Sequence, residues 1–224
     1  MFADADLERF AAQGPYAVFD NCGQDCCARS RILVERSVHE RVVELFARAT
    51  ERLAVGDPAD EATEVGPLVS ARQRERVERY VSVGLEEGGR LVTGGVRPSD
   101  PALADGAYLL PAVFDGIGQE MTIAREEVFG PVVAVIPFDT EEDAVALANA
   151  TPYGLSGSVW SRDIGRALRT ARAVRSGVVS VNCNNSVHVE APFGGYGQSG
   201  IGRELGLEAL DLYTETKNVF VDLS

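Results

Sequence analysis

The segment PVVAVIPF, residues 131–138, constrains the fold of this chain more than any other feature. It is almost entirely apolar, which predicts a strand covered on both faces of its sheet. Five other runs have the composition of strands: RILVE (31–35), RLVTG (90–94), YLLPAVF (108–114), LSGSVW (155–160) and GVVSVN (177–182). A strand that is covered on both faces, as predicted for residues 131–138, requires helices on both sides of the sheet.

Helical periodicity lies between these strands. Helices are predicted at residues 4–13, 16–28, 40–50, 70–87, 141–150, 161–174 and near 202–210. Ser37 and Glu40 predict a capping box, and Thr140 predicts another helix start. This alternation predicts an α/β fold with a mainly parallel sheet and helices on both faces. We expect one compact domain over residues 1–190, followed by a loop, a short helix and the strand KNVFVDL within residues 191–224.

Charge and hydropathy exclude several classes of partner. The chain has 21 basic and 34 acidic residues, a formal net charge of −13, which opposes binding to polyphosphates. Nucleic acid is therefore not expected as a partner. No segment approaches the roughly 18 consecutive apolar residues that a membrane span needs, and no basic leader precedes an apolar run. We expect no membrane partner and a cytoplasmic location.

Three of the four cysteines, Cys22, Cys26 and Cys27, lie in the segment DNCGQDCCARSR, residues 20–31. Four cysteines are too few for a secreted disulfide scaffold of this length, and a reducing compartment would keep them as thiols. The fourth, Cys183, is distant, so the spacing gives no second ligand pair for zinc and no metal is expected. Two interpretations remain, a reactive thiol with neighbours or small buried hydrophobic side chains.

The segment GYGQSG, residues 195–200, contains the spacing G-x-G-x-x-G. A dinucleotide-binding fingerprint needs a strand before it, a helix after it and an acidic residue about 20 positions further on. Only 24 residues follow Gly200, too few for that unit. The segment is therefore predicted to be a tight loop, and the chain contains no dinucleotide-binding motif of its own.

The cysteine segment resembles the active-site segment of the aldehyde dehydrogenase superfamily, whose pattern is approximately F-x-N-x-G-Q-x-C. The matching residues are Phe19, Asn21, Gly23, Gln24 and Cys26. REEVFGPVVAVIPF (125–138) resembles a second family signature. TPYGLSGSVWSRD, APFGGYGQSGIGRELG and YTETKNV resemble further blocks in the family's order, so the resemblance covers nearly the whole chain.

The resemblance implies that Cys26 is the nucleophile of an NAD- or NADP-dependent oxidation of an aldehyde to a carboxylic acid. Its thiolate would form a thiohemiacetal, and the thioester that follows hydride transfer would be hydrolysed. The carboxylate of Asp25 would oppose ionisation of Cys26 if it lay close. Cys27 would be a neighbour lining the substrate channel, although simple packing accounts for it equally well.

The resemblance also implies roles for four other residues. Glu127 would hydrogen-bond the nicotinamide ribose, and Phe129 would contact the same end of the cofactor. Glu204 would help to relay protons during thioester hydrolysis, although a structural salt bridge explains it equally well. Phe193 would form the aromatic wall of the aldehyde tunnel, where hydrophobic packing is the alternative.

The chain departs from the family by an absence. Members carry an upstream E-L-G-G segment with the general-base glutamate, and most of the nucleotide-binding domain lies before it; neither is present here. We therefore expect a catalytic domain over residues 1–190 that lacks its nucleotide-binding domain and is inactive alone. The resemblance implies a homo-oligomer in which the strand at 217–223 pairs with a hairpin from the missing part and extends a sheet across the dimer. The alternative is a non-enzymatic, thiol-bearing remnant that acts by association.

Overall fold

The computed structural model describes residues 1–224 and contains six strands in two sheets. The strands are β1 (Arg31–Glu35), β2 (Arg90–Thr93), β3 (Ala112–Asp115), β4 (Val132–Phe138), β5 (Ser156–Val159) and β6 (Val178–Val181). The first sheet has the order β1-β4-β3-β2, in which only the β2–β3 pair is antiparallel. The second sheet is the parallel pair β5–β6. The predicted α/β fold with a mainly parallel sheet is confirmed.

Six α-helices connect the strands. They are α1 (Leu7–Phe19), α2 (His39–Thr50), α3 (Ala71–Glu86), α4 (Thr122–Arg125), α5 (Glu141–Ala148) and α6 (Ile164–Ala173). Thr140 and Asp143 form a reciprocal capping box at α5, as an N-cap at Thr140 predicts. The capping box predicted at Ser37 is wrong, because a 3₁₀ turn at Arg36–Val38 precedes α2 and the Ser37 hydroxyl donates to Glu35 instead.

The core lies around β3 and β4. Every residue of β3 is buried, and β4 is buried except at Pro137, so both faces of these strands are covered. Phe19 and Phe46, from α1 and α2, pack with ring centroids 6.1 Å apart and are fully buried. Burial of large aromatic side chains such as these supplies much of the hydrophobic free energy that stabilises a domain.

The first two residues join the two sheets. The Met1 amine donates to the Leu33 carbonyl (2.7 Å), and the Glu35 N–H donates to the Met1 carbonyl (3.0 Å), which is the hydrogen-bond pattern of a parallel strand. On the other side, the Phe2 N–H donates to the Trp160 carbonyl at 3.0 Å. Where Met1 and Phe2 do not lie between them, β1 and β5 border a common cavity of about 490 Å³ and do not contact each other as paired strands.

Residues 191–224 differ from the expectation. The predicted helix near 202–210 is a 3₁₀ helix at Leu207–Leu212, and residues 214–224 form no strand. Val219, Phe220 and Leu223 are among the most exposed apolar side chains of the chain. The strand prediction at 217–223 is therefore wrong for the single chain, because a strand needs a neighbour for its backbone groups and the chain supplies none there. The division at residue 190 stays a prediction.

The two helices predicted over residues 4–28 are also different in the structure. They form the single helix α1, which contains Pro15, and the chain then turns through a short 3₁₀ segment at Asp20–Gly23. The cysteines therefore lie in a turn after the helix and not within it. None of the helices is long and apolar enough to cross a membrane.

The Met1 amine gives a prediction about pH. Burial lowers the pKa of this group from 8.0 to about 5, although the Glu35 carboxylate acts in the opposite direction. The unfolded chain then binds an extra proton between pH 8 and pH 5, so the free energy of unfolding falls as pH decreases through this window. We expect a loss of roughly 3 kcal/mol by pH 5 relative to the N-terminally acetylated chain. Urea unfolding of both forms tests this, and parallel pH profiles would contradict it.

Candidate active site

The cysteine turn, residues 20–27, is shaped by three consecutive residues in the left-handed region. Asn21, Cys22 and Gly23 have φ of 50°, 57° and 68°. The Asn21 amide donates to the Gln24 carbonyl (2.9 Å), and the Gln24 amide donates back to the Asn21 carbonyl (3.2 Å). The side-chain oxygen of Gln24 also accepts from the Val69 N–H. Local side-chain bonds of this kind stabilise an otherwise costly backbone.

Gly23 brings this turn against the loop before β4. A Cβ atom built at Gly23 would lie 2.2 Å from the Gly130 carbonyl oxygen, so the two backbones touch without room for a side chain. Glycine is required here for two reasons, the close approach and the positive φ. The contact places the cysteine turn beside Glu127 and Phe129, about 100 residues later in the sequence.

Helix α3 holds the loop at residues 126–129. The Gln73 amide donates to the Phe129 carbonyl at 2.8 Å, and an Arg76 N–H donates to the Glu127 carbonyl at 3.1 Å. Phe129 itself has φ of 54°, which is uncommon for an aromatic residue. Its ring and the Glu127 side chain remain exposed. The Glu127 carboxylate accepts no hydrogen bond from the chain and is available to a ligand.

Three of the predicted site residues line one cavity. Cys26, Glu127 and Phe129 all border the space of about 490 Å³ that continues between β1 and β5. Cys27, Phe193 and Glu204 do not line it. Phe193 and Glu204 are instead paired with each other by two backbone hydrogen bonds of 2.7 Å, with the Glu204 side chain exposed. The structure therefore brings the predicted nucleophile and the two cofactor candidates to one cavity. Cys27 lies beside Cys26 without lining that cavity, and Phe193 and Glu204 lie elsewhere.

The surroundings of Cys26 oppose its ionisation. Its pKa is raised from 9.0 to about 11, first by burial and then by Cys27 and the Asp25 carboxylate. Asp25 also accepts a hydrogen bond from the Cys27 N–H at 2.9 Å, which fixes the turn. Desolvation and a neighbouring negative charge both disfavour a thiolate. The Cys26 thiol is therefore neutral at pH 7, and a nucleophilic role would need a base to take its proton.

Asp25, Cys26 and Cys27 also have their potential ligand atoms within 4.8 Å of one another. A structural zinc site uses four protein ligands in a tetrahedron. Three adjacent residues of one turn do not provide that set, so we assign no metal here.

Sequence reasoning missed Arg29 as a residue of the site. Its guanidinium donates to the Cys27 carbonyl and to the Ser186 hydroxyl, the second bond measuring 2.7 Å. The position of Arg29, three residues after Cys26, was the available signal, but its partners at 157–186 are not visible in a linear sequence. Asn184, which also lines the cavity, was missed for the same reason.

Comparison with known proteins identifies the family of this chain. The sequence profile described as the aldehyde dehydrogenase family matches residues 1–219. The chain belongs to the aldehyde dehydrogenase family. This confirms the resemblance predicted from the sequence motifs.

Relatives within the aldehyde dehydrogenase family match almost the whole chain. It is 46% identical over 220 residues to betaine aldehyde dehydrogenase from Bacillus subtilis, covering 98% of this chain and 45% of that protein. Identity is 44% over 223 residues with betaine aldehyde dehydrogenase 1 from Rhizobium meliloti, covering 100% of this chain and 46% of that protein. The chain therefore spans slightly less than half the length of these relatives.

Two solved structures of aldehyde dehydrogenases share the fold. Betaine aldehyde dehydrogenase from Staphylococcus aureus in complex with NAD⁺ has a TM-score of 0.92 at 42% identity, covering 95% of this chain and 42% of that chain. A putative aldehyde dehydrogenase from Burkholderia cenocepacia has a TM-score of 0.93 at 42% identity, covering 96% of this chain and 44% of that chain.

The backbone contact at Gly23 can be tested against a matched glycine. Gly116 has nearly the same φ (67° against 68°), but a Cβ atom there would meet nothing within 4 Å. We expect Gly116→Ala to lower the free energy of unfolding by about 1 kcal/mol, the cost of the left-handed backbone alone. Gly23→Ala should cost at least about 3 kcal/mol, because the Gly130 loop must also move. Urea unfolding measures both, and equal losses would contradict the proposed contact.

Proposed function

We propose that this chain supplies the nucleophile-bearing part of an NAD(P)-dependent aldehyde dehydrogenase. The observation that carries the proposal is the shared cavity, where Cys26 meets Glu127 and Phe129 from a separate segment. Family membership supports the same reaction. Because the chain spans under half the length of its relatives, we propose that it is inactive without the remaining part.

In the proposed reaction, the Cys26 sulfur attacks the aldehyde carbonyl and forms a thiohemiacetal. Loss of hydride from this adduct gives a thioester, which water hydrolyses to the carboxylic acid and the free thiol. The Cys26 N–H would stabilise the developing oxyanion. Since Cys26 is held neutral, a base must accept its proton, and we propose that the remaining part of the enzyme supplies it.

The residues at the cavity rim fit a nicotinamide cofactor. The free, exposed Glu127 carboxylate can accept hydrogen bonds from two ribose hydroxyls, and the exposed Phe129 ring offers an apolar surface beside it. NAD would supply the hydride acceptor of the reaction. The NAD⁺ complex of the Staphylococcus aureus relative supports this choice of cofactor.

We propose betaine aldehyde as the first substrate to test, because the named relatives at 40–46% identity are betaine aldehyde dehydrogenases. Its quaternary ammonium group would be attracted by aromatic rings. Phe129 and Tyr153 both line the cavity and are partly exposed. Cys27, Phe193 and Glu204 lie outside this cavity. We therefore propose their roles only for the assembled enzyme: Phe193 as a wall of the aldehyde tunnel, Cys27 as a neighbour of the aldehyde and Glu204 as a proton relay.

We further propose that the complementary part inserts a strand between β1 and β5. Met1 already pairs in parallel with β1, and an extended segment in the same register would continue along residues 31–33 and 156–159. Three buried donors on residues lining the cavity have no acceptor: Arg29 Nε, Asn184 Nδ2 and Trp160 Nε1. Backbone carbonyls of an inserted strand are suitable acceptors.

The exposed apolar segment at 217–223 supports the proposal of a homo-oligomer, because an unpaired segment of this composition readily adds to a sheet edge of another subunit. We also propose a cytoplasmic location. All four cysteines are free thiols in the structure, as a reducing compartment favours.

Thiol labelling tests the assignment of Cys26 in the isolated chain. Iodoacetamide should modify Cys26 faster than Cys22, which is buried and has a pKa raised to about 12. Because the Cys26 pKa is about 11, its rate should rise about tenfold per pH unit between pH 7 and 10. Peptide mass spectrometry gives each rate, and equal rates in the folded chain would count against Cys26.

A chimera tests the activity. The part of the Bacillus subtilis enzyme outside the matched region is joined to this chain, and NAD-dependent oxidation of betaine aldehyde is measured beside the isolated chain. We expect turnover only in the chimera. Cys26→Ser should abolish oxidation while leaving NAD binding nearly unchanged, and Glu127→Ala should slow hydride transfer at least about tenfold by loosening the cofactor. A folded chimera that binds NAD without oxidising any aldehyde would favour the non-enzymatic alternative.

A further inference from the structure

Arg29 connects the cysteine turn to the second sheet, β5–β6. Besides the Cys27 carbonyl, its guanidinium reaches the Ser186 hydroxyl at 2.7 Å, the Asn184 carbonyl at 3.3 Å and the Gly157 carbonyl at 3.4 Å. These acceptors come from three segments: the turn, strand β5 and the loop after β6. A planar guanidinium with five donors is suited to such a junction, whereas the ammonium group of lysine is a compact point charge.

The loop after β6 is itself fastened to β5. The Ser156 hydroxyl donates to the Ser186 hydroxyl at 2.8 Å, and the Ser158 hydroxyl donates to the Asn184 side-chain oxygen at 3.1 Å. Arg29 therefore contacts a preformed two-strand platform and not a free loop. No side chain of residues 20–27 itself makes a hydrogen bond to that platform, so Arg29 provides the side-chain connection.

The charges around Arg29 point to a second role. Burial lowers the pKa of its guanidinium, while Cys27, Asp25 and Cys183 act on it in the opposite direction. The same Asp25 carboxylate opposes ionisation of Cys26. The Arg29 cation is therefore close enough to interact with the charges of Asp25, Cys27 and Cys183.

We propose that Arg29 is a positioning residue that fastens the Cys26–Cys27 turn to the β5–β6 sheet and places its positive charge beside Asp25 and Cys27. The inference rests on the proposed role of Cys26. It predicts that the turn and the loop at 184–186 become mobile together when Arg29 is lost.

Arg31 provides a matched control two residues away. It is also partly buried, and its guanidinium donates to the Leu147 and Ala148 carbonyls at 3.0 and 3.1 Å, at the end of α5. Arg31→Met therefore removes a comparable set of hydrogen bonds without touching the turn or the β5–β6 sheet.

The experiment compares Arg29→Met, Arg29→Lys and Arg31→Met in the full 224-residue chain. Amide hydrogen exchange, followed by mass spectrometry, measures the order of residues 24–28 and 184–187. The ratio of iodoacetate to iodoacetamide labelling rates at Cys26 measures the local potential, because the two reagents differ in charge and share the same thiolate.

For Arg29→Met we expect faster exchange in both segments and a fall of about threefold in the labelling ratio, on the order of the effect of removing one solvent-screened charge near the turn. Arg29→Lys should restore the ratio but only part of the protection from exchange. Arg31→Met should lower stability and leave both measurements at Cys26 unchanged.

Unchanged exchange and labelling ratio in Arg29→Met would overturn the inference, as would identical changes in Arg31→Met. Failure of the proposed function is distinguishable from these outcomes. In that case Cys26 of the unmodified chain would label no faster than Cys22, whatever residue 29 is.

Discussion

The site depends on one contact, the approach of the Gly23 backbone to the Gly130 carbonyl. It brings the turn after α1 against the segment that begins β4, and so places a thiol and a carboxylate in one cavity. In the turn after α1, the contact needs Gly23, which has a positive φ and no side chain. In the loop before β4, it needs a second residue with a positive φ, Phe129. The positive φ is accessible to Gly23 but costly for Phe129, and hydrogen bonds from α3 hold Phe129 in place.

Much of the fold could be predicted because its signals are local. The apolar run of β4, the helical period of α3 and the capping residues of α5 depend on neighbouring residues, and the structure confirms them. The sequence predicts two helices where the structure has the single helix α1, because a proline such as Pro15 usually marks a helix boundary. The segment at 217–223 was wrong as a strand because its pairing depends on a partner that no local pattern reveals.

The candidate site was predictable from motifs only in part. Cys26, Glu127 and Phe129 were recognised by resemblance, and the structure places them on one cavity. Their proximity depends on a contact across about 100 residues, which spacing does not reveal. Arg29 illustrates the same limit: within the segment CARSR it is an ordinary surface cation, and only its acceptors from residues 157–186 show what it does.

The protonated state of Cys26 indicates what the proposed complementary part must supply. Burial, Cys27 and Asp25 raise the pKa of Cys26 and so favour the protonated thiol at neutral pH. A base placed beside the sulfur would take the proton during attack, which a permanently lowered pKa would not require. The complementary strand proposed between β1 and β5 would enter the same cavity and bring such a base with it. Insertion would then couple completion of the sheet to activation of the thiol, which would otherwise stay protected from oxidation.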